Sequence, residues 1–202
     1  MSLWLGKVPL VLASRSRARQ AMLEAAGIPV EIRLADVDER ALERQAGEHE
    51  PDRVAALLAR AKADAVARAL PDRLVLGADQ TLAIGMARYS KPVDRIAARA
   101  QLRALAGRTH RLYSALAVVR ASQLLFAHVG VAELTMRDVS EAYLDHYLEL
   151  LGPAVTSSVG GYQLEGLGVQ LFERIEGDHF TILGLPLMAL LRYLRHAGWL
   201  LS

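Results

Sequence analysis

Residues 74–82 read "LVLGADQTL". An apolar run of strand-forming residues ends in a glycine, an alanine and a bare aspartate. Taken with its neighbours, "DRLVLGADQTLAI" (72–84) predicts a buried strand. An acid at the end of a buried strand costs stability unless something makes use of it. Asp79 is therefore the first candidate for chemistry.

Working outward, helical and strand-like segments alternate. "VPLVLA" (8–13) predicts a buried first strand, and "ARQAMLEAAG" (18–27) a helix ended by Gly27. "IPVEIRLA" (28–35) predicts a second strand running into the acidic loop "DVDER". Pro51 opens a long Ala-rich helix through residue 70. Beyond the central strand come a loop with "SKPVD", a helix near 94–105, and two long antiparallel strands in 110–136 broken by a polar turn at 121–123. A helix follows, capped by Asp138 or Ser140. Then come a strand-like "GVQLFERIEG" (168–177) and a closing helix in 184–198 with a proline in its first turn. This order predicts an α/β protein with a mixed sheet. No repeat or dividing linker is visible, so residues 1–202 read as a single domain.

Hydrophobic residues make up 52% of the chain, too many for a disordered protein. No apolar run reaches the ~18 residues a membrane span needs, and "MSLWLGKVPLVLAS" reads as strand rather than signal peptide. The net charge of +2 gives no broad field that calls for nucleic acid. The absence of cysteine excludes disulfides, thiolate zinc sites and cysteine nucleophiles, and is compatible with the cytoplasm. Of 24 basic residues only three are lysine: Lys7, Lys62 and Lys91. In a chain that writes nearly every cation as arginine, a retained lysine can mark a need for a compact point charge. For any one of them a plain surface charge is the competing reading.

"LASRSRAR" (12–19) joins a strand to a helix start and gathers backbone N–H groups, the hydroxyls of Ser14 and Ser16, and Arg19. That is an anion site in form. Ordinary capping by Ser16 is the plainer alternative. Asp38, Glu39 and Asp79 stand at strand ends, where α/β sheets bind ligands. Two or three such acids can hold Mg²⁺, a hard ion that prefers oxygen, or one can orient a water. The six histidines form no H-E-x-x-H or close pair, and neither a nucleophile elbow nor a Walker A loop occurs. Five glycines in 160–177 surround Glu165 and suggest tight turns or close approach to a ligand.

Taken in order, "LASRSRAR", "DVDE", the Lys62 helix, "GADQ", "KP", "GRTH", "GGYQLEG", "FERIEGD" and "GLPL" resemble the Maf family of nucleoside triphosphate pyrophosphatases. The resemblance runs from residue 12 to beyond 187. It implies a mixed twisted sheet in two lobes around a deep cleft, similar to the inosine triphosphate pyrophosphatases. It also implies hydrolysis of a nucleoside triphosphate to monophosphate and pyrophosphate with Mg²⁺ or Mn²⁺. By motif, Asp79 matches the family's catalytic acid and, with Glu39, its metal positions. Ser14, Ser16, Arg19, Lys62 and Lys91 match its phosphate positions. A homodimer is implied too, as is a link to septum formation, which leaves a non-catalytic nucleotide-sensing regulator as the competing class.

One branch of the family, acting on dTTP and UTP, usually has Thr after the catalytic Asp and Gln in the later glycine-rich motif. The 7-methyl-GTP branch usually has Gln and Glu there. This chain has Gln80 and Glu165 and resembles the second. Guanine presents two neighbouring donors on its pairing edge, which a carboxylate accepts, and the methylated base is cationic. There is one departure. Arg17 and Ala18 stand where the family usually has Pro and a large residue, Trp in this branch. With Ala18 a stacking platform for a cationic base is missing, and Tyr162 or Tyr89 is the candidate substitute. The dTTP/UTP pair is the alternative substrate.

Overall fold

In a computed structural model of the protein, residues 2–202 are described. The strands are β1 (Leu10–Leu12), β2 (Val30–Ile32), β3 (Val75–Ile84), β4 (Ala87–Tyr89), β5 (Thr109–Arg120), β6 (Gln123–Met136) and β7 (Phe172–Glu176). The helices are α1 (Arg17–Ala25), α2 (Glu39–Ala46), α3 (Pro51–Ala67), α4 (Arg95–Leu105), α5 (Glu141–Leu151), α6 (His179–Ile182) and α7 (Leu187–His196). One seven-stranded sheet runs β2-β1-β3-β5-β6-β7, with β4 also paired to β3. β1 is parallel to β2 and to β3, whereas β3–β4 and β6–β7 are antiparallel. The expected mixed α/β sheet is present.

The chain forms two compact units. The first holds residues up to Gln80, Tyr113–Gly130 and Asp178–Ser202; the second holds Thr81–Leu112 and Val131–Gly177. In the first unit, strand alternation sends successive side chains to opposite faces. Leu76 and Ala78 of β3 join Leu10, Leu12, Leu116 and Val118 under Met22 and Leu23 of α1 and Leu190 and Leu194 of α7. On the other face Val75, Val11, Ala117 and Val119 pack against Ala63, Val66 and Ala67 of α3. The polar break at 121–123 is a two-residue turn in which Ala121 (φ 48) and Ser122 (φ 63) are both left-handed, as a tight right-twisted hairpin requires.

The second unit centres on α4 and α5. Arg99 reaches across to Glu141 and Asp145, while Ala98, Leu102, Leu105, Leu144 and Leu148 are buried. Ser140, not Asp138, caps α5.

Several boundaries differ from the sequence reading. The long Ala-rich helix stops at Ala67, and the first two strands shorten to three residues each. The "DVDER" loop runs into a helix that the sequence reading did not place: Asp38 Oδ1 accepts from the Ala41 N–H at 2.9 Å, caps α2, and makes Glu39 its first residue. The first four residues of the predicted strand, 168–171, belong instead to a 3₁₀ turn over Leu167–Leu171 ahead of β7. Pro186 caps the last helix instead of lying inside its first turn.

Candidate active site

Gly77 and Asp79 lie on the β3 face that meets α3, two residues apart. A Cβ at position 77 would come within 2.1 Å of the Ala59 carbonyl oxygen and 2.7 Å of the Ala63 nitrogen. Glycine thus lets helix and strand touch backbone to backbone. Lys62 lies three residues beyond Ala59, at the edge of the same buried helix stripe. Its ammonium reaches Asp79 Oδ1 at 2.5 Å and Glu39 Oε1 at 2.8 Å. Three predicted site residues from α2, α3 and β3 therefore meet at one atom.

Arg19 is brought to the same strand end by α1, whose start Ser16 caps by accepting from the Arg19 N–H at 3.4 Å. Its guanidinium is buried and donates to Gly184 O at 2.7 Å, Ser14 Oγ at 3.0 Å and Ala78 O at 2.9 Å. Ser14 Oγ also accepts from the Ser16 N–H at 3.3 Å. Ser14 thus orients Arg19, and Ser16 serves as a cap. Ala18 lies half-buried on α1 between them.

Gln80 faces the opposite side of β3. Its amide nitrogen donates to Ser114 Oγ at 2.9 Å, Ile182 O at 3.0 Å and Thr181 O at 3.2 Å. Ser114 Oγ donates to the same Thr181 carbonyl at 2.7 Å. Asp178 in turn accepts from both the backbone N–H and the hydroxyl of Thr181 at 2.9 Å. Gln80 thus fixes α6, and the turn just after α6 supplies the Gly184 carbonyl that holds Arg19. With its nitrogen so committed, the remaining hydrogen-bonding atom of the Gln80 side chain is an acceptor.

Burial pushes the Asp79 carboxyl above its ordinary range; Lys62 and Arg19 pull it down and Glu39 adds to the rise. Burial likewise pulls the Arg19 guanidinium below its usual value, opposed by Asp79 and Glu39. Among the described residues no group of three or more His, Cys, Asp or Glu side chains is placed to hold a metal ion. Glu39 and Asp79 nevertheless converge on one cationic atom, the Lys62 ammonium. Mg²⁺ is usually held by one or two carboxylates together with waters and substrate phosphates. The pair fits that arrangement.

Lys91 and Glu165 belong to the second unit, both exposed, Lys91 ahead of Pro92 and Glu165 in the turn before residues 167–171. Tyr162 is no stacking platform: it is buried, its hydroxyl lies 2.7 Å from His110 Nε2, and its ring packs edge-on against Phe172. The sequence reading missed Ser114, Thr181 and Gly184. Ser114 had a signal, as the one serine in the otherwise apolar and aromatic "LYSALAVV". Gly184 acts through its carbonyl, which any residue possesses.

A buried acid and arginine at a strand end, with lysine and glutamate closing on the acid, form the candidate site of this α/β protein. Residues 9–197 match the family model described as Maf-like protein, and the chain belongs to that family. A protein of Rhodopseudomonas palustris strain BisB18, named nucleoside triphosphate pyrophosphatase, is 57% identical over 195 residues, 96% of each chain. One of the same name from Nitrobacter winogradskyi is 52% identical over the full length of both. A protein of Rhizobium etli named 7-methyl-GTP pyrophosphatase is 50% identical over 192 residues, 94% of this chain and 96% of its own. Among the described residues no helix is long and apolar enough to cross a membrane.

Proposed function

We propose that the protein is a nucleoside triphosphate pyrophosphatase that hydrolyses 7-methyl-GTP to the monophosphate and pyrophosphate. The observation that carries this reading is the convergence of Asp79, Glu39 and Lys62 at one atom, with the buried Arg19 held beside them on β3. A water oxygen forms a bond to the α-phosphorus, and the bond from that phosphorus to the bridging oxygen breaks. The leaving pyrophosphate takes the electron pair, and Asp79 accepts or steers the water's proton. A carboxyl raised by burial is a stronger base than an exposed one. Arg19 and Lys62 offset the charge that builds on the leaving phosphates. Glu39 and Asp79 would hold a divalent cation, Mg²⁺ or Mn²⁺, which when bound adds Lewis-acid charge neutralisation at the phosphates. By resemblance, Lys91 also serves the phosphates.

For the base, the family resemblance makes Gln80 and Glu165 the selecting positions, and acceptors there suit the donors of a guanine edge. The relative named for 7-methyl-GTP, half identical to this chain, supports that choice over dTTP and UTP. The same reading takes the enzyme as a homodimer of the cytoplasm, in keeping with a chain that has no cysteine.

The test is pyrophosphate and monophosphate release from 7-methyl-GTP, GTP, dTTP, UTP and CTP in Mg²⁺ or Mn²⁺. The expected result is release from 7-methyl-GTP well above the rest. Preference for dTTP or UTP would overturn the base assignment alone. Tight nucleotide binding without any release would favour the regulator.

A further inference from the structure

Lys62 occupies the place a cation would take. Its ammonium lies 2.5 Å from Asp79 Oδ1 and 2.8 Å from Glu39 Oε1; among the described residues it is the ion-pair partner of both carboxylates and draws both to itself. A divalent ion held by the same two oxygens cannot share that volume with the ammonium. One of them has to leave. The lysine is the mobile one: it is a point charge on a four-carbon stem, and its side chain is only 15% exposed, so it gives up a sheltered position when it moves.

We propose that Lys62 is an exchangeable occupant of the cation site: it neutralises Asp79 and Glu39 while no metal is bound, and a divalent cation displaces it. The displaced ammonium becomes a donor for the phosphate chain that arrives with the cation. Lys62 thus opposes metal binding in the absence of substrate and assists it in its presence, which couples the two ligands. Arg19 does not do this. Its guanidinium is tied to Gly184, Ser14 and Ala78 and stays where it is. The proposal rests on the reading of this site as a pyrophosphatase centre.

The experiment uses the full chain and Mn²⁺ alone. Free Mn²⁺ is measured by electron paramagnetic resonance during titration of wild type, Lys62→Gln and Glu39→Gln. Removing a competing charged hydrogen-bond donor should tighten Mn²⁺ binding in Lys62→Gln by about tenfold or more, while Glu39→Gln should weaken it. A second measurement needs no variant to fold. The chain has three lysines, Lys7, Lys62 and Lys91, so ¹³C-labelled lysine gives a three-signal spectrum. Titration with diamagnetic Mg²⁺ should shift the Lys62 signal and leave Lys7 in place. Equal Mn²⁺ affinity in wild type and Lys62→Gln, no Mn²⁺ binding to either, or a Lys62 signal unmoved by saturating Mg²⁺ would each overturn the proposal. None of these readouts uses turnover. A chain that passes them and releases no pyrophosphate overturns the pyrophosphatase reading and leaves the exchange standing.

Discussion

Lys62 Nζ lies 2.5 Å from Asp79 Oδ1, and the two residues come from a helix and a strand that touch backbone to backbone. The pairing does not make Asp79 comfortable. Desolvation outweighs the nearby cations, so the fold favours the neutral carboxyl relative to the unfolded chain. Asp79→Asn removes that burden and keeps an oxygen for Lys62. Its thermal midpoint should match wild type or exceed it by up to about 4 °C, while pyrophosphate release collapses. Circular dichroism melts beside the activity assay check both halves.

Gly77→Ala attacks the same pairing from the backbone. The new methyl meets the Ala59 carbonyl oxygen and the Ala63 nitrogen, neither of which can rotate away. Overpacking of this kind costs about 1–3 kcal/mol. Because the helix that must retreat carries Lys62, kcat should fall further than stability alone explains. Urea unfolding gives the first quantity and steady-state kinetics the second.

Gln80→Ala leaves the Thr181 and Ile182 carbonyls and Ser114 without the shared amide nitrogen. Loss of a buried polar partner costs about 1–3 kcal/mol, measurable by urea unfolding. Release of α6 also frees the Gly184 carbonyl that holds Arg19, so activity should drop on every nucleotide, and furthest on 7-methyl-GTP, whose guanine edge loses the Gln80 acceptor. Changing base preference requires the second motif too: Gln80→Thr with Glu165→Gln should move preference toward dTTP and UTP in the nucleotide panel.

His110 sets an acid limit on the second unit. It is buried with Tyr162 and Phe172 around its ring, and burial lowers its pKa from 6.5 to about 4. The unfolded chain therefore binds a proton below pH ~6.5 that the native state refuses until about pH 4. The stability is fully present above the unfolded value and is lost as pH falls through that window, at most about 3 kcal/mol. His110→Phe should lose this part of the acid sensitivity. Urea midpoints between pH 7 and pH 4 for the two proteins check it.

Much of this was legible in the sequence because the signals were local. The apolar approach to Asp79, the Pro51 helix start and the rarity of lysine each needed only a few neighbouring residues. What escaped reading depends on partners far along the chain. The helix at 39–46 has no buried residue, so no apolar stripe announced it. The role of Gln80 is set by carbonyls about a hundred positions away, and backbone carbonyls carry no side-chain signal. Tyr162 read as a possible platform because its burial against His110 and Phe172 is a tertiary fact.

The central claim, water attack at the α-phosphorus served by Asp79, is tested most directly by turnover of 7-methyl-GTP in ¹⁸O-water with wild type and Asp79→Asn. The account predicts one ¹⁸O in the monophosphate, none in the pyrophosphate, and a loss of about 10²–10⁴-fold in rate for the variant, the range that a positioned proton acceptor contributes. Label in the pyrophosphate, or an Asp79→Asn enzyme that turns over at the wild-type rate, would contradict it.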